Sequence, residues 1–343
     1  MTKPKVSIIM PVLNGERYIG QAIASIVEQT FRNYELIVVD DGSTDGTAQC
    51  VQRFANKLEL KYIRHTQNQG IGRSVNDGIR HAAGEFIAFL DHDDIWLPVF
   101  LETQLAYLRQ HPEVAMVHSD FQTVDGEGNI LEDSVSSARG RIEPSGHIFR
   151  ELFLHSLVCG NTVLIRKECF EQLGTFDENL RYGDYHMWMR IGRHHRIDYT
   201  PKVLTQYRQH RTQQTRSSPL PGPAEDSVEL QAIKSIITAY PEIRQELGAK
   251  TVDRRISTLY FKMAFASFES NSFGNARAFL LPAIKLWPTN VRYLLLLAAT
   301  LLPPSYAKAL GQAKRQIRVM FSTPRGGAKP IWRRTVLDSG EKK

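Results

Sequence analysis

The sequence predicts an α/β fold: a Rossmann-like, mostly parallel sheet with helices on both faces, followed by an α-helical C-terminal region. Three observations predict it. Short β-rich runs alternate with amphipathic helical segments over the first hundred residues, a pattern that implies parallel strands joined by helical crossovers. Acidic runs, Asp40–Asp41 and Asp91-His92-Asp93-Asp94, fall at the ends of two of those predicted strands, where such sheets place their ligands. Beyond a Pro-rich stretch, the periodicity is helical only.

The elements follow in order. Val6–Met10 reads as a strand stopped by Pro11. Residues 18–30 carry Ile19, Ala22, Ile23, Ile26 and Val27 on one helical face. Glu35–Val39 is a second buried run, and Ser43, Thr44 and Asp45 offer N-caps for a helix to about Ala55. Leu60–Arg64 is a third strand, Ile71–Ala83 a helix, and Glu85–Leu90 a fourth strand ending at Asp91. The pattern then loosens: a helix over Pro98–Gln110, a strand over Val114–Ser119, a hairpin turn at Asp125–Asn129, a strand over Thr162–Arg166 and a helix over Tyr185–Ile191. The division expected is a catalytic-type domain over 1–216, a Pro-rich linker over 217–226, a helical domain over 227–310 and a basic tail over 311–343.

The composition is that of a globular protein, with 42% hydrophobic and 23% charged residues in 343. Three cysteines, Cys50, Cys159 and Cys169, are too few and too irregular for a disulfide framework or a zinc site, so all three read as packing residues in a reducing compartment. No long apolar signal core follows Met1, so export is not expected, and the chain reads as cytoplasmic or peripheral on the cytoplasmic face of the membrane. The net charge of +7 is uneven: from Lys308 on, ten Lys/Arg face two Asp/Glu, leaving the body at −1. A tail of this kind suits an anionic membrane surface or is a solvated end; nucleic acid is excluded as a partner because no binding motif accompanies it. Tyr293–Leu302 is apolar but half the length of a membrane span, and is either a buried helix of a small bundle or an interfacial anchor acting with the tail.

Three carboxylates within four residues at a strand end, Asp91, Asp93 and Asp94, repel one another unless a cation joins them. Hard oxygen ligands of this type hold Mg²⁺ or Mn²⁺ together with a substrate's phosphates. A calcium loop beginning at Asp41 is rejected, because its twelfth position is Gln52 rather than an acid. No G-x-G-x-x-G follows the first strand, which excludes a dinucleotide-binding oxidoreductase, and no Gly-rich basic loop stands there for a pyrophosphorylase.

The segments Val6-Ser7-Ile8-Ile9-Met10-Pro11-Val12-Leu13-Asn14, Val38-Val39-Asp40-Asp41-Gly42-Ser43-Thr44-Asp45-Gly46 and Phe89-Leu90-Asp91-His92-Asp93-Asp94 occur in order and at spacings that resemble family 2 of the glycosyltransferases, with the GT-A fold. The likeness spans residues 5 to about 215. It implies an inverting, non-processive enzyme moving one sugar from a nucleotide-diphospho-sugar, a UDP-sugar by expectation, to a hydroxyl of a glycan or lipid-linked acceptor in cell-surface polysaccharide synthesis. The resemblance implies that Pro11, Leu13, Asn14 and Glu16 line the nucleotide pocket, that Asp41 meets the base, and that Asp40 supports the same loop. Asn68 and Asn76 fall in the segment between the acidic runs. Many members carry Arg just before the counterpart of Asn76; here Val75 stands there, and Arg73 is the candidate phosphate contact. Asp94 is the expected metal ligand, with Asp93 on the ribose or the loop, and His210 joins them as a candidate ligand. Arg208 is expected on the diphosphate. Gly183-Asp184, ahead of a Trp-containing helix, resembles the acidic pair that carries the general base, with Asp184 as that base and Gly183 in place of the usual Glu. A catalytically inactive nucleotide-sugar or glycan-binding module is the alternative, opposed by the joint presence of Asp41, Asp93, Asp94 and Asp184.

Overall fold

The computed structural model describes residues 3–140, 143–180, 183–213 and 226–302. The chain divides into two compact units, Met1–Gln213 and Gln214–Lys343. Residues 217–225 of the expected linker and the tail beyond 302 lie outside the described residues.

The first unit is built on one sheet. Its strands are β1 Val6–Val12, β2 Tyr34–Asp40, β3 Leu60–Arg64, β4 Phe86–Phe89, β5 Ile95–Trp96, β6 Val114–Val124, β7 Ile130–Glu132, β8 Val163–Arg166 and β9 Arg196–Arg208. They run in the order β3-β2-β1-β4-β8-β6-β9-β5, with β7 paired to β6. The β3-β2-β1-β4 half is parallel; β8 is antiparallel to both β4 and β6, whereas β6 and β9 are parallel. The helices are α1 Ile19–Val27, α2 Thr47–Gln52, α3 Ile71–His81, α4 Phe100–Gln110, α5 Val135–Arg139, α6 Phe149–Leu154, α7 Glu168–Leu173 and α8 Asp184–His194.

Every residue of β1 and β2 is buried, as expected of strands covered on both faces. Val6, Ile8, Met10 and Val12 point to one face and pack with Ile19, Ile23 and Ile26 of α1 and Phe100, Leu105 and Leu108 of α4. Ile9 points to the other face, under α3, which approaches so closely that a Cβ on Gly78 would lie 2.4 Å from the Ile9 side chain. This alternation puts α1 and α4 on one side of the sheet and α3 on the other.

Pro11 does not stop β1; the strand continues to Val12, with Pro11 opposite Val39. The Ile9 carbonyl accepts the Leu90 amide, so residues 9 and 11 turn their polar groups toward β4. That strand has ended at Phe89, and the missing N–H of Pro11 costs no ladder bond. The unpredicted β9 is 13 residues long and bulged. Its last turn of pairing sets Gln206 opposite Ile95, immediately after the acidic run.

The second unit, over its described residues, is helical: Val228–Ala239, Ile243–Glu246, Ala249–Glu269, Phe273–Leu286 and Val291–Leu301. Leu230, Ile233, Val252, Leu259, Met263, Phe279, Leu280 and Leu296 are among its buried side chains. Glu229 is ion-paired to Arg255 and to Lys262 at 3.3 Å; burial works against its ionisation, but these two cations hold its carboxyl down at about 2. Among the described residues no helix is long and apolar enough to cross a membrane.

Candidate active site

The carboxyl ends of β1, β2 and β4 open into three neighbouring loops that hold most of the predicted site residues. After β1, Asn14 adopts a positive φ of 52° and its amide N–H donates to Ser43 Oγ at 2.8 Å, while its side-chain oxygen accepts from Thr44 N at 2.9 Å. Glu16 accepts the Gly46 N–H at 3.0 Å. The first two loops are thus laced together, with Leu13 half-buried between them and Asn14 and Glu16 exposed.

Asp40 and Asp41 are both buried and differently used. Asp40 accepts the Ser43 N–H at 2.8 Å and the Tyr62 hydroxyl, so its carboxylate is spent on shaping the loop. Asp41 accepts Gln69 N at 2.8 Å and Gly70 N at 2.9 Å, and its Oδ1 lies 2.7 Å from His65 Nδ1. The other ring nitrogen of His65 reaches Asp77 Oδ2 at 3.0 Å, and Asn68 caps the same turn through Gly70 N. Gly42 permits this approach: at φ 83° its backbone passes so close to Gln67 that a Cβ would lie 2.8 Å from the Gln67 carbonyl carbon. His65 was not anticipated, although it follows the end of β3 as the acids follow β2 and β4.

The third loop carries the acids. Carboxylate oxygens of Asp91, Asp93 and Asp94 lie within 4.8 Å of one another, and this is the cluster among the described residues that could hold a cation. Asp94 is fixed from two sides: Arg208 N donates to Oδ1 at 2.7 Å, and the Asn161 amide donates to Oδ2. Asn161 is itself oriented, its carbonyl accepting Trp96 Nε1 at 2.8 Å and its side-chain oxygen 2.8 Å from Cys159 Sγ. Burial, reinforced by Asp93 and Asp91, pushes Asp94 well above the usual carboxylate range. Burial likewise lifts Asp91 to about 7, with Asp93 and Asp184 adding to it. Burial would raise Asp93 too, but His210, whose Nε2 is 2.8 Å from its Oδ2, and the nearby His92 outweigh it and hold Asp93 below its ordinary value. Three acids whose charges oppose one another, each with a lone pair left, suit a divalent cation chemically.

Asp184 opens α8 beside the turn at Gly160, where an added Cβ would stand 3.7 Å from its Oδ2. Burial pushes its carboxyl up to about 6, and its charge is felt by Asp91. A carboxyl poised there is suited to taking a proton near neutral pH. Behind the same turn, Cys159 borders a water-sized void of about 10 Å³, and an adjoining groove of about 380 Å³ shares Asp120, Ser136 and Tyr199 with it.

Three predicted residues are engaged elsewhere. Asn76 is buried on α3 and spends its amide on Phe176 N and O and on Glu178, at 2.8–2.9 Å. Arg73 pairs with Asp77 at 3.3 Å and Glu178 at 3.5 Å. Arg208 is 1% exposed, and its guanidinium donates to the carbonyls of Asp93 and Gly126 and to Gln21 Oε1 and lies over the Tyr18 ring. It clamps the acidic loop from behind.

A sheet of this order, with acids at the ends of β2 and β4 and a further acid at the head of α8, has the make-up of a transferase site. The sequence pattern described as Glycosyl transferase family 2 matches residues 7–174. An uncharacterized glycosyltransferase of Rickettsia prowazekii, RP339, is 34% identical over 217 residues, covering 63% of this chain and 67% of that one. An uncharacterized glycosyltransferase of Haemophilus influenzae is 30% identical, covering 61% and 67%. The chain belongs to glycosyltransferase family 2. Among solved structures, Staphylococcus aureus TarS 1–349 in complex with UDP-GlcNAc superposes with a TM-score of 0.61 at 21% identity, covering 91% of this chain and 92% of that one. The Pyrobaculum calidifontis mannosyltransferase PcManGT, in complex with GDP-Man and Mn²⁺, superposes at 0.51 with 19% identity, covering 93% and 81%.

Proposed function

We propose that this transferase moves a single sugar, with inversion, from a UDP-sugar to a hydroxyl of a glycan or lipid-linked acceptor of the cell surface. The observation that carries the reading is the convergence of two separate acidic elements. The Asp91–Asp94 cluster ends β4 and Asp184 begins α8, and the Gly160-Asn161 turn joins them: Asn161 donates to Asp94, and Asp184 Oδ2 lies 3.7 Å from where a Cβ on Gly160 would stand.

In this reading the loops after β1 and β2 receive the nucleoside, with Asp41 at its base. Asp94 and Asp93 would hold a Mn²⁺ or Mg²⁺ ion, with His210 joining them or fixing Asp93. The ion, when bound, supplies positive charge to the diphosphate leaving group. Arg208 N and Asn161 keep both oxygens of Asp94 in place, so little reorientation is required on binding. The acceptor approaches past Gly160, beside which Asp184 stands, and Asp184 takes the proton of the attacking hydroxyl as it adds opposite the leaving diphosphate. The complex of TarS with UDP-GlcNAc supports a UDP donor, and that of PcManGT with Mn²⁺ supports the metal.

The test is turnover of UDP-sugars by the full chain with Mn²⁺. Asp184→Asn is expected to lower kcat by roughly 10²–10⁴-fold with donor binding retained. Asp94→Ala is expected to abolish transfer together with the metal dependence of UDP binding. Full transfer by Asp184→Asn would remove it as the base, and UDP affinity unchanged by chelator would remove the metal role.

A further inference from the structure

Helix Val291–Leu301 has two apolar faces and covers only one of them. Tyr293, Leu296 and Thr300 are buried against the unit's core. Val291, Leu294, Leu295, Ala298, Leu301 and Leu302 are exposed, Val291 by 62% and Leu301 by 68%. Their spacing of three, four, seven, ten and eleven places them along a single stripe of the helix surface. All six are exposed, and all six are aliphatic. An apolar stripe of this length on a surface marks a contact with something.

The charge around the stripe identifies what. From Ser270 to Leu337 the chain carries eleven Lys/Arg and no Asp/Glu. Two copies meeting through the stripe would bring two such segments together, like charge against like. An anionic lipid surface satisfies both features: the leucines enter the acyl boundary and the cations sit among the headgroups. Neither signal suffices alone, since one short apolar stripe or one basic segment binds weakly and reversibly.

We infer that the stripe Val291, Leu294, Leu295, Ala298, Leu301 and Leu302, with the basic chain that flanks it, docks this protein on an anionic membrane surface. The inference does not depend on which donor or acceptor the enzyme uses.

The experiment is co-sedimentation of the full chain with vesicles of phosphatidylcholine, with and without phosphatidylglycerol. Binding is expected to the anionic vesicles only and to weaken with salt. The double variant Leu294→Ser/Leu295→Ser, changed at exposed positions, is expected to lose about tenfold in partitioning. In a second variant, Leu295→Trp, the added indole emission is expected to shift to the blue and to be quenched by bromine-labelled acyl chains. No binding of the parent chain to anionic vesicles overturns the inference, as does equal partitioning of the double variant or an unquenched indole. A parent chain that is dimeric without lipid and becomes monomeric in the double variant assigns the stripe to self-association and overturns it as well.

Discussion

Asp184 and Asp41 are both carboxylates at the site, and their surroundings give them different tasks. Asp41 is spent on two backbone N–H groups and on His65; Asp184 is held up at about 6 by burial. The sign of the pH effect follows. The unfolded carboxyl ionises near 3.8, so between there and about 6 the folded chain binds more protons than the unfolded one. The stability this group contributes is present at low pH and is lost as pH rises through that window. Asp184→Asn is therefore expected to stabilise the protein at pH 7, by roughly 1–3 kcal/mol, as read from urea denaturation at pH 4 and pH 7; the gain should vanish at the lower pH. Activity runs the other way. With Asp184 as base, kcat/KM is expected to fall about tenfold per pH unit below about pH 6, and a flat profile down to pH 5 would assign the proton to another group.

At the scale of elements, α3 decides more than a sequence reading assigns to it. Asn76 and Arg73 are directed at the 176–178 segment, which leads toward Asp184, rather than standing free at the donor loops. Asn76→Ala would leave the Phe176 N–H and carbonyl without their partner inside the protein, which costs about 2–4 kcal/mol. Thermal denaturation is expected to register that loss in the absence of any nucleotide. An unchanged melting temperature with weakened UDP binding would instead make Asn76 a donor contact. The strand β9 has a comparable organising role: its register against β5 and β6 brings the Arg208 backbone to Asp94.

For the molecule as a whole, a donor and a cation bound as proposed would favour the folded state over the unfolded one and stabilise it by mass action. UDP at a hundred times its Kd adds about 2.7 kcal/mol, equivalent to roughly 5–10 °C for a unit of this size. The shift is expected with UDP and Mn²⁺ together and to collapse on adding chelator in a thermal-shift assay. An equal shift with UDP alone would place the nucleotide's binding energy entirely in protein contacts.

The alternation of strands and helices, the acidic runs at the ends of β2 and β4, and the family itself were legible in the sequence. They are local: apolar periodicity and strand-end position depend on neighbours a few residues away. Pro11 was misread because its effect depends on where β4 stops, which is set by pairing. β9 escaped notice because a bulged strand between polar residues lacks a clean period of two. The final positions of Asn76, Arg73 and Arg208 were decided by contacts with residues far off in the chain, such as Phe176, Glu178 and Gln21, which only closure of the sheet brings together. The same holds for the neighbours of the acids. That Asp91, Asp93 and Asp94 would crowd one another follows from their adjacency in the chain. That Asn161, Arg208 and His210 would hold them, and that Asp184 would face them at a raised pKa, follows from burial, and burial is a property of the folded whole.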